Sequence, residues 1–202
     1  MIEFIRSAYY SLVCFLIRTV SFFFCPVKTY GRENLPKTGG FLMAGNHVSH
    51  LDPMLIPSFC PRRMRFIAKE SLFQVPVLGA LIQFGGGIPI KRGKADKGAL
   101  DRAVLELNNG YGILIFPQGT RGGEKIQAGI GFLAAQSSKP VVPVYIEGTD
   151  KVLPKGSKFP VRSPVRIVYG RPVHFPRDAA YDLIAEKAME AVMSLKPIQP
   201  EP

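Results

Sequence analysis

A histidine and a carboxylate stand five residues apart in the segment 45–53, which reads GNHVSHLDP. If a tight loop lets Asp52 reach His47, the carboxylate accepts the proton on one ring nitrogen and leaves the other nitrogen free as a base. Such a base could take a proton from an attacking hydroxyl group. A catalytic dyad is therefore one interpretation of this segment.

Two other interpretations of the same segment stay open. Asp52 followed by Pro53 is also a good helix start, with the aspartate as N-cap and the proline as first helical residue. A metal site on His47, His50 and Asp52 is a weaker hypothesis, because the spacing lies in a loop and no further Cys/His cluster supports it. We therefore expect no metal ion.

Basic residues follow other apolar runs of the chain. Arg92 comes after the run GGGIPIK, and Arg121 ends the run FPQGTR. The planar fork of arginine matches phosphate oxygens, and Gly119 permits a close backbone approach. Either arginine alone is typical of a solvated surface, whereas two of them beside a His–Asp pair indicate a site. Lys69, which follows the apolar run at residues 65–68, is expected beside these arginines.

The usual signatures of covalent and nucleotide chemistry are missing from the sequence. It contains no Gly-x-Ser-x-Gly elbow, no Gly-x-x-x-x-Gly-Lys phosphate loop and no Gly-x-Gly-x-x-Gly dinucleotide motif. The residues therefore favour a base-assisted direct transfer over a covalent intermediate.

Apolar runs and helical stretches alternate along the chain and must position these side chains. Strands are predicted at residues 41–44, 65–68, 88–90, 113–116, 141–146 and 165–169, and helices at 95–109, 129–137 and 178–195. Most of the strand runs are continuously apolar, which is typical of strands covered on both faces. The pattern predicts a single α/β domain over residues 28–196 with a largely parallel central sheet flanked by helices, and a flexible tail at 197–202. Ligand sites of such sheets gather where strands pass into loops.

The N-terminal segment 1–27 is rich in large apolar residues. Arg6 and Arg18 interrupt it and leave eleven residues between them, fewer than the ~20 that a spanning helix needs. Wound as a helix, its polar residues form a narrow stripe, and the rest of the cylinder is apolar; the stripe consists of Glu3, Ser7, Ser11, Cys14, Arg18 and Ser21. We expect an amphipathic helix that docks in a membrane interface. The alternative is a helix packed on the protein's own core.

Composition limits the partners. The 202-residue chain carries a formal net charge of +11, which is compatible with nucleic acid, an anionic membrane or phosphate-bearing substrates. Nucleic acid is disfavoured, because the basic residues are dispersed through loops and no nucleic-acid motif is present. Three cysteines without metal spacing predict neither a disulfide framework nor a zinc site and indicate a reducing compartment.

Taken together, these segments resemble the 1-acylglycerol-3-phosphate acyltransferase (lysophosphatidic acid acyltransferase) family of glycerolipid acyltransferases. Four sequence blocks mark that family, and the chain matches them in order between residue 41 and about residue 149. The matching residues are Asn46, His47 and Asp52; Gly86, Ile88, Ile90 and Arg92; Phe116, Pro117, Gly119, Thr120 and Arg121; and residues 142–146. One block alone is weak, whereas four in order are specific.

The resemblance implies transfer of a fatty acyl group from a thioester, on acyl carrier protein or coenzyme A, to the sn-2 hydroxyl of 1-acylglycerol 3-phosphate. His47 would be the general base and Asp52 its orienting carboxylate. The acceptor's phosphate would be bound by Arg92, Arg121, Lys69, Gly119 and Thr120, with Asn46 and Gln118 in supporting positions. The thioester is a co-substrate, and no cofactor is expected. We expect a peripheral or monotopic protein on the cytoplasmic face of the cell membrane.

The chain departs from the family pattern at three places. Gln118 stands where the family usually has glutamate, Pro89 replaces an aromatic residue, and Gln127 replaces a common lysine. The neutral amide of Gln118 keeps hydrogen bonds but loses a charge. A different lysolipid acceptor, such as a lyso-ornithine lipid, therefore stays open, as does a non-catalytic lipid-binding protein on the same fold.

Overall fold

A seven-stranded sheet forms the centre of the molecule, seen in a computed structural model that describes residues 1–91, 96–123, 125–154, 157 and 159–197. Its strands are β1 (Val27–Tyr30), β2 (Phe41–Gly45), β3 (Met64–Lys69), β4 (Gly87–Ile90), β5 (Gly112–Ile115), β6 (Val141–Glu147) and β7 (Val165–Tyr169). They lie in the order β1-β7-β6-β2-β5-β3-β4, and every neighbouring pair is parallel except β6 and β7. The predicted α/β domain with a largely parallel sheet is confirmed.

Helices cover both faces of this sheet. They are α1 (Ile2–Phe24), α2 (Asp52–Phe59), α3 (Glu70–Phe73), α4 (Leu78–Phe84), α5 (Lys97–Asn108), α6 (Gly129–Ser137), α7 (Thr149–Val152) and α8 (Tyr181–Met193), with a short 3₁₀ turn at Arg32–Asn34. One apolar core lies between the sheet and α5, α6 and α8. A second core lies on the other face, under α1 and α2. Covering on both faces accounts for the continuous apolar runs in the central strands.

The predicted elements are present, and several short ones were missed. All six predicted strands form, α6 has its predicted limits, and α5 and α8 lie within their predicted ranges. Strand β1 was missed because its four residues alternate between half-buried and exposed at the edge of the sheet. Helix α2 corresponds to the helix-start interpretation of Asp52 and Pro53, but its extent was not predicted, because it has eight residues and contains Pro57 inside.

Helix α1 places polar groups toward the protein and apolar groups outward. Cys14 and Ser21 are buried, and Arg18 donates from Nε to the carbonyl oxygen of Ser58 in α2. Tyr10 Oη donates to the Pro57 carbonyl oxygen, 3.3 Å away. The outward face carries exposed large side chains, which are Phe4, Ile5, Leu12, Phe15, Leu16, Val20, Phe22 and Phe23. Its helical part ends at Phe24, three residues before the predicted limit of this segment, because Val27 already pairs with β7.

By length and composition, α1 is the single helix among the described residues that could cross a membrane. Only 11% of that apolar window is buried inside the protein. Packing on the protein's own core therefore accounts for one narrow stripe of α1 and leaves most of its surface without a protein partner. An apolar surface of this extent is typical of a membrane-associated segment.

Candidate active site

His47 and Asp52 meet in the loop that follows β2. Nδ1 of the imidazole lies 2.8 Å from Oδ2 of the carboxylate. Asp52 is completely buried, whereas the His47 side chain keeps 12% of its surface exposed. The buried carboxylate can only accept, so Nδ1 carries the proton and Nε2 presents a lone pair. Among the described residues, Nε2 makes no hydrogen bond and is available to a substrate.

Every partner of the Asp52 carboxylate is a donor. Oδ2 accepts from the backbone N–H groups of Val48 (2.7 Å) and Ser49 (2.8 Å) as well as from His47. Oδ1 accepts from the Thr149 hydroxyl at 2.6 Å. These four bonds hold the carboxylate in one orientation and offset the cost of removing it from water.

The helix-start interpretation of Asp52 is half right. Asp52 is the first residue of α2, and Pro53 follows it within the first turn. The N-cap position, however, belongs to Leu51, and no side chain caps the helix. The carboxylate turns back to the preceding loop instead of toward the helix. Asp52 therefore starts α2 with its backbone and fixes His47 with its side chain.

Two neighbours position the His47 segment against the sheet. The imidazole stacks on the Phe116 ring, with 4.3 Å between ring centroids and 22° between planes. The preceding Asn46 is buried, donates from Nδ2 to the Ile146 carbonyl oxygen (2.8 Å) and accepts the Ile146 N–H at Oδ1 (2.8 Å). The Asn46 amide thus continues the pairing of β2 with β6 beyond the last backbone bond, so His47 leaves the sheet at a fixed point.

Gln118 joins the loop after β2 to the loop after β5. Its Oε1 accepts the backbone N–H of His47 (3.3 Å), and its Nε2 donates to the Gly123 carbonyl oxygen (2.9 Å). The Gly122 N–H returns a bond to the His47 carbonyl oxygen (3.0 Å). This clamp (Gln118, Gly122, Gly123 and the His47 backbone) fixes the loop that carries Arg121 relative to the imidazole.

The predicted phosphate ligands lie at the same end of the sheet as His47, which is the end where the parallel strands reach their carboxyl termini. This end is called the carboxyl edge below. One predicted ligand lies outside the described residues. Arg121 and Thr120 are exposed in the clamped loop, where Gly119 turns the chain with φ 65°. Lys69 ends β3 and is also exposed. Because β2, β5 and β3 run parallel, their carboxyl ends place these residues on one side of the sheet. Arg92 falls in the segment 92–95, outside the described residues.

A second histidine, His50, lies in the loop between His47 and Asp52. Burial, with Arg121 and His47 nearby, lowers the pKa of His50 below its ordinary value. The neutral form of His50 is therefore favoured, and the electrostatic influence of Arg121 extends to the loop that carries His47 and Asp52. No three His, Cys, Asp or Glu side chains within the described parts of the chain are grouped to hold a metal ion.

Sequence reasoning missed one member of the site. Thr149 is fully buried and donates to Asp52 across 97 positions of sequence. It begins α7, two residues after β6 ends. The rule that polar residues after parallel strands gather at one edge would have included it, because β6 is the neighbour of β2.

Comparison with known proteins matches the part of the chain that contains the candidate site. A family model described as Acyltransferase matches residues 26–147. The chloroplastic 1-acyl-sn-glycerol-3-phosphate acyltransferase LPAT1 of Arabidopsis thaliana is 28% identical over 84% of this chain and 50% of its own length. A Bacillus subtilis protein of the same description is 26% identical over 73% of this chain and 74% of its own.

A solved structure shares the fold. The 1-acyl-sn-glycerophosphate (LPA) acyltransferase PlsC from Thermotoga maritima superposes with a TM-score of 0.77 and 27% identity, covering 98% of this chain and 84% of that one. The chain spans about half the length of the plant relatives it matches. The family model includes His47, Asp52, Lys69 and Arg121, and it leaves out α1 and Thr149. The resemblance read from the four sequence blocks is confirmed: the chain belongs to the Acyltransferase family.

Proposed function

We propose that this protein transfers a fatty acyl group from an acyl thioester to the sn-2 hydroxyl of 1-acylglycerol 3-phosphate. The observation that carries the proposal is the 2.8 Å contact between His47 Nδ1 and the buried Asp52 carboxylate, which leaves Nε2 free at an edge that also carries Arg121. A hydroxyl nucleophile needs a base, and a phosphate-bearing acceptor needs a cation.

The chemistry proceeds in one transfer without an acyl-enzyme. His47 Nε2 takes the proton from the acceptor hydroxyl while the hydroxyl oxygen bonds to the thioester carbonyl carbon. The resulting imidazolium is stabilised by the Asp52 carboxylate. The C–S bond then breaks, the thiolate leaves, and the imidazolium returns its proton to the sulfur. The products are the ester and a free thiol, and His47 regains its starting state.

The acceptor's phosphate would be held by the cations of the edge. Arg121 offers a planar fork, and Lys69 offers a point charge at the end of β3. Backbone N–H groups around Gly119 and Thr120 add donors of the kind that anions use in tight loops. Arg92 completes the set by its match to the second sequence block. The thioester's carrier is acyl carrier protein or coenzyme A, and the proposed location is the cytoplasmic face of the membrane.

A second acceptor class is favoured by one observation. The site has a neutral amide at Gln118, hydrogen-bonded on both sides, where the family pattern has a glutamate. The missing charge changes the electrostatic surroundings of the acceptor's headgroup, so another lysolipid, such as a lyso-ornithine lipid, is the second candidate, with the same base and the same thioester. A lipid-binding role without catalysis is less favoured, because it gives no reason for a buried Asp–His contact.

The test is thiol release by the purified protein with an acyl thioester and a panel of lysolipids. We expect release that needs a phosphate-bearing acceptor and falls by at least about a hundredfold in His47→Ala. The matched control is His174→Ala, because His174 is exposed beside Val173, which pairs with the opposite end of β6. Equal turnover in both variants would refute the role of His47. Release with lyso-ornithine lipid alone would select the second acceptor.

A further inference from the structure

Two groups of exposed apolar side chains lie outside the candidate active site. The first, called here the aromatic tip, comprises Phe22, Phe23, Phe24, Phe159 and Val161. The second, called the hairpin tip, comprises Leu72, Val75, Val77 and Leu78, at the turn between α3 and α4. Exposed apolar groups of this size are unusual on a water-soluble surface and mark an interaction site.

The aromatic tip lies, like His47, at the carboxyl edge of the parallel strands. Strand β7 runs antiparallel to β6, so it begins where β6 ends, at the carboxyl edge of the parallel strands. The segment that leads into β7 bonds to the end of α1, since the Ser163 N–H donates to the Phe24 carbonyl oxygen at 3.2 Å and the Val165 N–H to that of Pro26 at 3.0 Å. The end of α1 and residues 163–165 therefore meet there, and Val161, whose N–H donates to the Val152 carbonyl oxygen (2.8 Å), lies two residues before this junction.

The hairpin tip lies at this edge too. Strand β3 ends at Lys69, and α3 begins at the next residue. Helix α4 then descends along α1, where Tyr9 Oη donates to the Leu81 carbonyl oxygen (3.3 Å) and the Tyr9 and Phe84 rings meet edge to face at 5.8 Å. Helix α4, which follows the hairpin tip, is thus held against α1 at Tyr9.

Val77, the most exposed residue of the hairpin tip, has an unfavourable backbone conformation. Val77 is 74% exposed and has φ 65°. That region is strained for a β-branched residue, and an apolar side chain gains nothing from water in return. Entry into an apolar phase would leave this strain unchanged, but it would remove the exposed side chain from water.

Sheet order puts the catalytic pair between the two tips. Strands β1 and β7 lie at one side, β3 and β4 at the other, and β2, which leads into the His47 loop, lies in the middle. Beside the histidine, Val48 and Met54 add exposed apolar surface. Exposed cations stand along the same edge; they are Lys69, Lys91, Arg121, Lys125, Lys151 and Arg162.

We propose that the aromatic tip and the hairpin tip both enter one leaflet of an anionic phospholipid bilayer, as two contacts in addition to the side of α1. With both tips immersed, the edge that carries His47 faces the headgroup layer, and its cations meet lipid phosphates. A second copy of the chain is a poorer occupant. A twofold contact through this edge would set like charges against one another, because the same lysines flank both copies of the hairpin tip.

The chain contains no tryptophan, which permits a direct test with single reporters. Val77→Trp and Phe159→Trp would be made separately, with Leu183→Trp as the control; Leu183 is also exposed, to 46%, on α8, which packs on the other face of the sheet. Each protein is mixed with phosphatidylcholine vesicles, with or without phosphatidylglycerol, that contain lipids brominated along the acyl chain. Bromine quenches tryptophan only on immersion, and the measurement involves no turnover, so it is independent of the acyl-transfer proposal.

We expect blue-shifted, bromine-quenched emission from the reporters at 77 and 159 and neither effect at 183. Phosphatidylglycerol should raise vesicle affinity by about fivefold for each cation that reaches the surface. Separately, Val77→Glu should weaken vesicle binding by about tenfold and Leu183→Glu should not, with equal thermal unfolding in both. Quenching at 159 without quenching at 77 would overturn the proposal. So would a blue shift at 77 that needs no lipid and grows with protein concentration, which would assign the hairpin tip to a second copy.

Discussion

Replacing Asp52 by asparagine isolates the charge of the carboxylate from its shape. The amide oxygen can keep the bonds from Val48 and Ser49, and the amide nitrogen can donate to the Thr149 hydroxyl, which accepts as readily as it donates. The fold should therefore stay intact. What disappears is the negative charge beside the imidazolium that forms in the transition state of the proposed mechanism.

The magnitude follows from the contact distance. With Nδ1 and Oδ2 at 2.8 Å, the centres of charge lie farther apart. Taking roughly 4 Å for that separation and an effective dielectric constant of about 20, the attraction is about 4 kcal/mol. At about 1.4 kcal/mol for each factor of ten, turnover should fall by about a thousandfold. The acceptor's KM should change little, because the lost interaction is made mainly in the transition state.

The assay is thiol release at saturating lysolipid, with Asp150→Asn as the matched control. Asp150 is an exposed carboxylate next to Thr149, so its loss removes one charge from the same edge without touching His47. A double variant adds a second check: in the His47→Ala background, Asp52→Asn should cost nothing further, since the carboxylate acts through the imidazole. Turnover of Asp52→Asn within a few-fold of the parent protein, with normal unfolding, would refute this reasoning.

Three further predictions concern Gln118, Arg121 and the three cysteines. Gln118→Glu restores the residue usual in relatives, yet it should lower turnover by about tenfold, because a carboxylate cannot donate to the Gly123 carbonyl oxygen; faster turnover would contradict the clamp. Arg121→Ala should raise the acceptor's KM more than the thioester's. In the same variant, the pKa of His50, followed by proton NMR, should rise toward its ordinary value, whereas an unchanged value would place the arginine out of reach. The three cysteines are buried, and burial raises the pKa of the Cys25 and Cys60 thiols, so native protein should react with Ellman's reagent only on unfolding; rapid reaction would contradict that burial.

The long apolar runs were the predictable part of the fold. Strands such as β2 and β6 are buried on both faces and leave no alternative to a central position in the sheet. The short elements were not predictable, because α3 and α4 have four and seven residues and no periodic pattern of their own. Packing of α3 and α4 on each other and on the strands β3 and β4 decides their conformation.

The candidate site was predictable where the chemistry is local. His47 and Asp52 lie five residues apart, and one loop joins them. Nothing local indicated that Gln118 would bond on both sides, or that Thr149 would reach Asp52, since both contacts depend on which strands become neighbours. The choice between helix start and dyad likewise needed side-chain directions, which a spacing of residues does not contain.

The position of α1 has a consequence for the order of events during synthesis. This helix leaves the ribosome before every strand of the sheet, and chains fold from the N-terminus as they emerge. Strand β1, which follows it, has β7 as its neighbour in the sheet, and Asn34 bonds to Tyr169 only after 135 more residues. Asp52 likewise waits for Thr149. For most of its synthesis, the nascent chain therefore presents an apolar helix while the Asp52 carboxylate still lacks its Thr149 partner, so a nearby bilayer could receive α1 before the candidate site is complete.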